Sequence, residues 1–536
     1  MQAVSTFGSA LKSTTPERSY PTLRGHPPVV ELGAELSIPD KFERPDTGIQ
    51  IEVPPDLGSI FVVTPLAYYL GAEVVQGSDP RLSTENGFTY HLDRNDGLES
   101  SVERILKLIF FLDCVVRTEG TTPLPLYEQQ LAEPKLEFDL QEIYEMDIAD
   151  QVEEYLHVDY RDMEPHIPKW RSKTEIHENP SEVEFLPFLA DSLSLMSRQK
   201  ETAQATETQI QAVEEFTRGD FTRSTDPIRG TSDPYTLEIQ SDTPTIKQHW
   251  DCLGTTSITS ITPLSAYYTS VGQTPRDDPI EIVVVCNDSE MREELKAVDS
   301  IYGNRAELPF DVSIHYNTNT EELRSILSRE VDFFHFIGHI DEKGFQCPDG
   351  KLDVSMIGEI NIKAFFLNAC QSHDQGLQLV RAGSMGGIVT ISEIINSSAV
   401  EIGDTIARLL NRGFPLHAAL DVARKDNLVG EQYCVVGNSK TTIAQSETAP
   451  PFVCMLETEG ESFNMHIETY TKKEFRKGSL FIPYLDGEDD YFLVSGRSGD
   501  YSLTREQIAD FLDMEMFPVV IDGKVVWSKE IDVERL

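Results

Sequence analysis

The chain has 536 residues, enough for about two to four domains of ordinary size. Its 90 acidic and 45 basic residues give a net charge of −45, and the acidic excess is spread along the whole chain. Such a surface repels nucleic acids and anionic membranes, so we expect neither as a partner. Diffuse acidity is also typical of proteins from salt-loving organisms and favours a haloarchaeal source; an ordinary acidic protein is the alternative.

The cysteines and the missing motifs exclude further classes of protein. The seven cysteines are widely spaced, odd in number and without a CxxC pair, which argues against a disulfide framework and a zinc site and favours a reducing cytoplasm. The first thirty residues hold no apolar secretory segment, and Ile105–Val116 is too short and too charged to span a bilayer. No phosphate-loop, HExxH, GxSxG or GxGxxG motif occurs, so we expect no metal and no organic cofactor.

Composition and patterning divide the chain into five segments. Residues 1–50 are predicted to be extended or disordered, because they hold several prolines and few periodic apolar positions. Residues 51–217 are predicted to form a mixed, helix-rich N-terminal region, and the Thr-, Ser-, Asp- and Pro-rich residues 218–277 a linker with a few short strands. Residues 278–440 are predicted to form an α/β domain, and residues 450–536 a small α+β or β-sandwich domain.

The N-terminal region contains two clear apolar patterns. Ser59–Val63 predicts a strand, and Leu98–Val116 predicts a helix with apolar residues at helical spacing. The heptapeptide VTPLAYY at 63–69 also resembles ITPLSAYY at 261–268. We interpret this echo as coincidence or a shared packing element; a duplicated, degenerate copy of the α/β domain is the alternative.

Strands and helices alternate from residue 280, which predicts a doubly wound, mostly parallel α/β sheet with helices on both faces. The first strand is a continuous β-branched run, as expected for a strand that is buried on both faces. The predicted strands are Glu281–Cys286, Asp311–His315, Val331–Ile337, Ala364–Leu367, Gly387–Ser392 and Gln432–Val436, and the predicted helices are Asn287–Tyr302, Thr320–Arg329, Gly376–Arg381, Val400–Asn411 and Leu416–Lys425.

Two chemically capable side chains follow consecutive strands of this sheet. His339 comes directly after the third strand and Cys370 directly after the fourth. Sites in open parallel sheets form at the carboxyl ends of the strands, so adjacent strands would bring both side chains to one edge. An imidazole beside a thiol can take its proton and later protonate a leaving amine, and backbone N–H groups near Gly338 and Cys370 can hold an oxyanion. Each residue alone is more often a core or structural residue, and His335 is a rival base within the strand.

The same runs carry a family resemblance. The segments HFIGH (335–339), FFLNACQS (365–372), LVRAGSMGGIVTI (379–391) and LLNRGFPLHAALDVARK (409–425) resemble a CHAT domain, a branch of the caspase–separase group of cysteine peptidases. The resemblance covers about 160 residues. It implies a caspase-like fold and a catalytic pair formed by His339 and Cys370. The family usually has Gly where this chain has Ile340, and a Leu-Trp pair where this chain has Ile391-Ser392.

The resemblance implies a cysteine endopeptidase that acts on proteins or peptides, in a regulated signalling or stress response. Separase-like relatives carry an acidic residue in the pocket for a basic substrate side chain, which implies this role for Glu393 and, more weakly, for Asp341 and Asp374. The regions outside 278–440 would then bind a regulatory partner. The alternative is a catalytically silent scaffold of the same fold, which the change at Ile340 favours.

Overall fold

A ten-stranded mixed β-sheet runs through three of the five predicted segments and positions the candidate site. It is seen in a computed structural model of the chain. The structure describes residues 1–93, 96–198, 244–253, 257–271, 279–288, 310–392, 396–425, 431–444, 446, 449–459 and 462–536.

The first 198 residues contribute eight α-helices and six strands, within the described part of this region. The helices are α1 (Gln2–Ser5), α2 (Leu57–Leu70), α3 (Gly97–Val116), α4 (Tyr127–Ala132), α5 (Leu140–Glu145), α6 (Ile148–His157), α7 (Tyr160–Met163) and α8 (Leu186–Asp191). The strands are β1 (Ile49–Val53), β2 (Glu73–Gln76), β3 (Arg81–Thr84), β4 (Thr89–His91), β5 (Ser172–Ile176) and β6 (Leu195–Arg198).

The described residues after 243 complete the fold. The strands are β7 (Thr245–Trp250), β8 (Ile258–Pro263), β9 (Ile280–Cys286), β10 (Phe310–Tyr316), β11 (Val331–Ile337), β12 (Ile340–Asp341), β13 (Gly344–Cys347), β14 (Gly350–Leu352), β15 (Ile362–Asn368), β16 (Gly386–Thr390), β17 (Tyr433–Gly437), β18 (Phe452–Glu459), β19 (Ser462–Thr469), β20 (Leu480–Phe481), β21 (Phe492–Leu493), β22 (Gly496–Leu503), β23 (Pro518–Ile521) and β24 (Lys524–Trp527). The helices are α9 (Leu264–Val271), α10 (Thr320–Ser328), α11 (His373–Arg381), α12 (Asn396–Asn411), α13 (Leu416–Ala423) and α14 (Arg505–Met514).

The strand order of the large sheet is β10-β9-β11-β15-β16-β17-β8-β7-β5-β6. The first five strands are mutually parallel, and β17 runs antiparallel to β16. The predicted mostly parallel sheet in residues 278–440 is therefore present, and its strands begin and end close to the predicted residues. The predicted helix at 287–302 lies outside the described residues, apart from its first two.

Both faces of the central strands of this sheet are buried, and side chains alternate between the two faces along each strand. On β11, Phe333 and Ile337 pack in the core that contains α12 and α13. Phe334 and Phe336 face the opposite core, which contains α10 and α11. The continuous apolar runs of the sequence reflect this two-sided burial.

Of the two elements predicted for the N-terminal region, one was wrong and one is confirmed. Ser59–Val63 belongs to helix α2, not to a strand, and Asp56 caps that helix by accepting a hydrogen bond from the Ser59 N–H. The helix is buried on nearly all sides, and a fully buried helix shows the same unbroken apolar run as a buried strand. The predicted helix at Leu98–Val116 is confirmed as α3.

The described parts of the predicted linker belong to the large sheet. Strand β8 pairs in parallel with β17 and antiparallel with β7, and β7 pairs with β5. The short strands expected in the Thr- and Ser-rich segment 218–277 therefore join the N-terminal region to the α/β domain instead of separating them. Their polar residues Ser260 and Thr262 are buried, and the two hydroxyls lie 3.2 Å apart.

Residues 1–25 are folded, which corrects the extended or disordered prediction for residues 1–50. Their prolines start short 3-10 helices, Pro16–Ser19 and Pro21–Leu23, where a missing N–H is tolerated. Arg18 is fully buried and donates to the Asp113 carboxylate of α3 over 2.8 Å. Tyr69 of α2 donates to the other oxygen of Asp113 over 2.6 Å. Residues 31–41 are exposed and lack regular structure.

The C-terminal segment forms its own five-stranded sheet, β22-β19-β18-β23-β24, with α14 packed on it. The strands and the packed helix of this segment fit the α+β alternative, and the bounds 450–536 stay a prediction. Among the described residues, no helix has both the length and the hydropathy needed to cross a bilayer.

The buried Arg18–Asp113 pair yields a stability prediction. Replacing Asp113 by Asn leaves the Arg18 guanidinium buried without a counter-charge, and we expect the free energy of unfolding to fall by about 3–5 kcal/mol. Burial raises the pKa of Asp113 to about 6, so chemical denaturation is measured at pH 8, where the carboxylate is ionised.

The matched control is the double variant Arg18→Met/Asp113→Leu, which removes both charges and should recover most of the loss. An Asp113→Asn protein as stable as the wild type would contradict the structural role of the pair.

Candidate functional site

Three chemically capable side chains lie at matched positions beyond three adjacent parallel strands. Ile337 of β11 pairs with Cys286 of β9 on one side and with Asn368 of β15 on the other. Asp288, His339 and Cys370 each stand two residues after these paired positions. Since parallel strands end at the same edge, the register brings all three residues to the carboxyl edge of the sheet.

His339 is the most exposed member of this group. Its side chain is 63% exposed, and its Nε2 atom lies 3.2 Å from the Oδ2 atom of Asp288, whose side chain is only 9% exposed. The His339 carbonyl accepts a hydrogen bond from the Gln346 N–H over 2.9 Å. The backbone is thus held by strand β13, while a buried carboxylate orients the imidazole.

Cys370 is partly exposed in a tight turn between β15 and α11. Gln371 next to it has a φ of 53°, in the left-handed region that side chains other than Gly and Asn rarely adopt. Strained backbone of this kind is held only where the surrounding structure fixes it, and it clusters at functional sites.

Ser372 and Thr390 fix this turn. The Ser372 hydroxyl donates to the Leu367 carbonyl over 3.2 Å and accepts from the Thr390 N–H over 2.9 Å. The Thr390 hydroxyl donates to the Ala369 carbonyl. The Asn368 side chain also forms hydrogen bonds within the fold. Its amide N–H donates to the Ala399 carbonyl over 3.0 Å, and its amide oxygen accepts from the Tyr433 hydroxyl over 2.7 Å. The polar residues around Cys370 in the FFLNACQS run therefore hold the turn in place.

The rival base His335 lies inside the sheet. It is fully buried and stacks on the Phe366 ring at 4.8 Å between centroids. A side chain in that position cannot reach a substrate at the sheet edge, so the structure favours a packing role for His335 over that of a rival base.

Gly338 and Ile340 flank His339 and have packing roles. Gly338 is buried, and a Cβ atom at this position would lie 3.1 Å from the Phe336 ring. Ile340 begins β12, pairs with Phe345 and is 4% exposed. An extended strand accommodates Ile without strain, so the departure from Gly does not distort the backbone after His339. The oxyanion role of the Gly338 and Cys370 N–H groups stays a prediction.

The predicted acidic substrate-binding residues differ in their surroundings. Lys351 donates to Asp341, and this hydrogen bond holds the pKa of Asp341 below its usual value. The Nδ1 atom of His373 lies 3.0 Å from Asp374 and lowers the pKa of that carboxyl group in the same way. Both carboxylates thus have partners within the chain. Glu393 lies outside the described residues.

The sequence did not single out Asp288. The signal was present, because Asp288 follows the first strand at the same offset at which His339 and Cys370 follow theirs. Asn287–Ser289 is a plausible helix cap, and that interpretation hid the alternative. Within the described ranges, no group of three or more His, Cys, Asp or Glu side chains is placed to hold a metal ion.

No family model matches the sequence, and no curated protein matches it. The chain is similar to parts of solved cysteine proteinase and separase structures. The Arg-specific cysteine proteinase gingipain R (RgpB) is 9% identical with a TM-score of 0.28, and the match covers 38% of this chain and 59% of that one. The complex of Porphyromonas gingivalis RgpB pro- and mature domains is 11% identical with a TM-score of 0.29, over 49% and 72% of the two chains. The Saccharomyces cerevisiae separase–securin complex is 10% identical with a TM-score of 0.26, over 32% and 13%. At these TM-scores the likenesses carry no argument about fold or activity.

We expect thiol reactivity to distinguish Cys370 from Cys252, which is the best control within the chain. Cys252 is also partly exposed, but burial raises the pKa of its thiol to about 12. Burial likewise raises the pKa of Cys347 to about 11 and that of Cys434 to about 12. We expect iodoacetamide at pH 7.5 to label Cys370 at least about tenfold faster than Cys252, as followed by peptide mass spectrometry. Equal rates would contradict a primed thiol.

The Asp288 contact gives a second prediction. In the Asp288→Asn variant the imidazole of His339 loses its anionic partner, so we expect alkylation of Cys370 to slow roughly tenfold. Asp341→Asn is the matched control, since Asp341 lies near His339 in sequence but pairs with Lys351. Equal slowing in both variants would show that any loss of negative charge near the site has the same effect.

Proposed function

We propose that the chain is a cysteine endopeptidase whose nucleophile is Cys370, whose base is His339 and whose positioning residue is Asp288. The observation that carries the proposal is the matched register of β9, β11 and β15. It gives a thiol, an imidazole and a carboxylate the same offset at one sheet edge. Nucleophilic catalysis by a thiol needs a base close to the thiol, and a carboxylate can orient that base.

The proposed reaction proceeds through a thioester. His339 accepts the thiol proton, and the Cys370 sulfur forms a bond to the substrate carbonyl carbon. The N–H groups near Gly338 and Cys370 stabilise the oxyanion that results. The carbon–nitrogen bond then breaks as His339 protonates the leaving amine. Water, deprotonated by His339, hydrolyses the thioester and restores the thiol. Throughout, Asp288 stabilises the imidazolium and holds its orientation.

Specificity for basic residues is part of the proposal and depends on Glu393. Asp341 and Asp374 already have partners in Lys351 and His373, so their carboxylates are less available to pair with an Arg or Lys side chain of a substrate. We also propose that the N-terminal and C-terminal regions bind a regulatory protein partner, because they pack against the domain that carries the site. A silent scaffold remains the alternative, and the cleavage experiment decides between the two.

The test compares wild type, Cys370→Ala and Cys252→Ala on a peptide library in multimolar KCl, with self-cleavage followed on a gel. We expect Cys370→Ala to lose at least about 10³-fold in cleavage rate, because the remaining groups cannot supply a nucleophile. Cys252→Ala should keep wild-type activity.

Glu393→Gln tests the pocket in the same library. Selective loss of cleavage of peptides with Arg or Lys at the cleaved position would support a role of Glu393 in specificity. Unchanged cleavage of all peptides would contradict that role. No cleavage by the wild type, together with Cys370 alkylation no faster than that of Cys252, would favour the scaffold.

A further inference from the structure

A cavity of about 1130 Å³ lies at the edge of the sheet opposite Cys370. Its lining includes Ile280, Asp332 and Lys363, which stand at the amino-terminal ends of β9, β11 and β15. These are the strands whose carboxyl ends carry the candidate catalytic residues. A seven-residue strand spans about 20 Å, so the cavity is a separate site.

Three parts of the chain form the walls of this cavity. The N-terminal region contributes Arg24 and Phe188. Strand β15 of the large sheet contributes Lys363, and the turn after β17 contributes Lys440. The segment 471–477, which follows the C-terminal strand β19, forms the third wall. A ligand here would contact all three parts at once.

The charge of the lining is opposite to that of the protein. Seven basic residues and three acidic residues line the cavity, whereas the whole chain has twice as many acidic as basic residues. Three of the basic residues have acidic partners: Lys363 with Asp332, Lys472 with Glu474, and Arg476 with Asp191. The four that remain are Arg24, Lys440, Lys473 and Lys477.

These four cations have no carboxylate partner among the described residues. Arg24 is buried and donates to the backbone carbonyls of Arg18 and Lys477 over 2.8 and 2.6 Å. Lys477 donates to the Ser192 carbonyl over 3.0 Å and lies 4.6 Å from the Trp170 ring centroid. The Lys440 side chain has no hydrogen-bond or ion-pair partner in the described part of the chain. Lys473 is exposed at the mouth.

Grouping these cations is unfavourable in the absence of an anion. Burial lowers the pKa of Lys440 to about 8, and burial together with Lys440 and Arg24 lowers the pKa of Lys477 well below its usual value. The charges therefore destabilise the empty cavity. The Ser192 carbonyl and the Trp170 ring beside Lys477, and Asp191 near Lys440, offset this cost only in part, since the pKa values of both lysines stay lowered. A bound anion would remove this cost.

The cavity also has an apolar wall. Phe188 and Tyr267 stack with centroids 4.9 Å apart, and His26 contacts the edge of Phe188 at 5.1 Å. An aromatic or aliphatic part of a ligand can pack there, as in most small-molecule sites, where a few polar groups fix the orientation on an apolar surface.

We propose that this cavity binds a small molecule that carries two or more phosphate groups. Phosphate oxygens accept charge-assisted hydrogen bonds from Lys and Arg, and several phosphates are needed to neutralise four cations that line one cavity. Long nucleic acids do not fit this assignment, because the acidic exterior repels them and the cavity has the size of a small-molecule site. The inference does not depend on the peptidase proposal, since it concerns other residues and is tested by binding alone.

The test uses the full-length chain at the lowest KCl concentration that keeps it folded. Inorganic tripolyphosphate is titrated by calorimetry and thermal shift, with sulfate at equal ionic strength as the comparison. We expect saturable binding and a rise in Tm with tripolyphosphate only. The variant Lys440→Gln/Lys477→Gln should bind at least about tenfold more weakly and be at least as stable as the wild type without ligand.

Two further variants keep the test decisive. Lys473→Gln changes only the exposed mouth and should also weaken binding, even if the double variant does not fold. Lys524→Gln removes an exposed lysine of the C-terminal sheet and should bind tripolyphosphate like the wild type. Equal binding by wild type and the cavity variants, or equal effects of sulfate and tripolyphosphate, would overturn the proposal.

A parallel titration with ATP distinguishes two ligand sources of the same chemistry. Tighter binding of ATP than of tripolyphosphate would indicate a nucleotide whose base packs on Phe188 and Tyr267. Tighter binding of tripolyphosphate would indicate a ligand recognised by its phosphates alone. Either result supports the phosphate assignment. If neither ATP nor tripolyphosphate binds saturably, the proposal is overturned.

Discussion

The backbone register of three neighbouring parallel strands is the constraint on which the candidate site depends. Hydrogen bonding fixes Ile337 between Cys286 and Asn368, and a shift by one residue would turn every side chain to the other face. Aromatic and branched side chains on both faces resist such a shift, because each face packs in its own core. Asp288, His339 and Cys370 therefore owe their common position to apolar packing below them, and polar contacts refine it.

Buried charges join the parts of the chain that the sheet brings together. Arg171 of the N-terminal region donates to Glu468 of β19 over 2.6 Å and lies 3.7 Å from Asp421 of α13. Tyr470 donates to the same Asp421 over 2.8 Å. Charges removed from water in this way are costly unless paired, so they favour one arrangement of the three parts over looser ones. The flanking regions are thereby tied to the helices that cover the sheet.

The two ends of the parallel strands carry different chemical groups. The carboxyl ends present a thiol, an imidazole and a carboxylate, whereas the amino ends form a cavity lined by cations. The same three strands, β9, β11 and β15, reach both places. The segment 471–477, which lines the cavity, directly follows Tyr470, whose hydroxyl donates to Asp421 of α13. An anion in the cavity and a peptide at the sheet edge would thus bind to the same packed body.

The sequence by itself determined the alternation of strands and helices after residue 280 and placed His339 and Cys370 after consecutive strands. Periodicity and β-branched runs depend on local geometry, so the ranges of β11 and β15 could be predicted. It did not reveal that β7 and β8 join the main sheet, that Arg18 is buried against Asp113, or that Asp288 contacts His339. Those facts depend on residues far apart in the chain, and pairings of that range leave no local pattern. Only the tertiary structure decided them, because burial and charge pairing act through space.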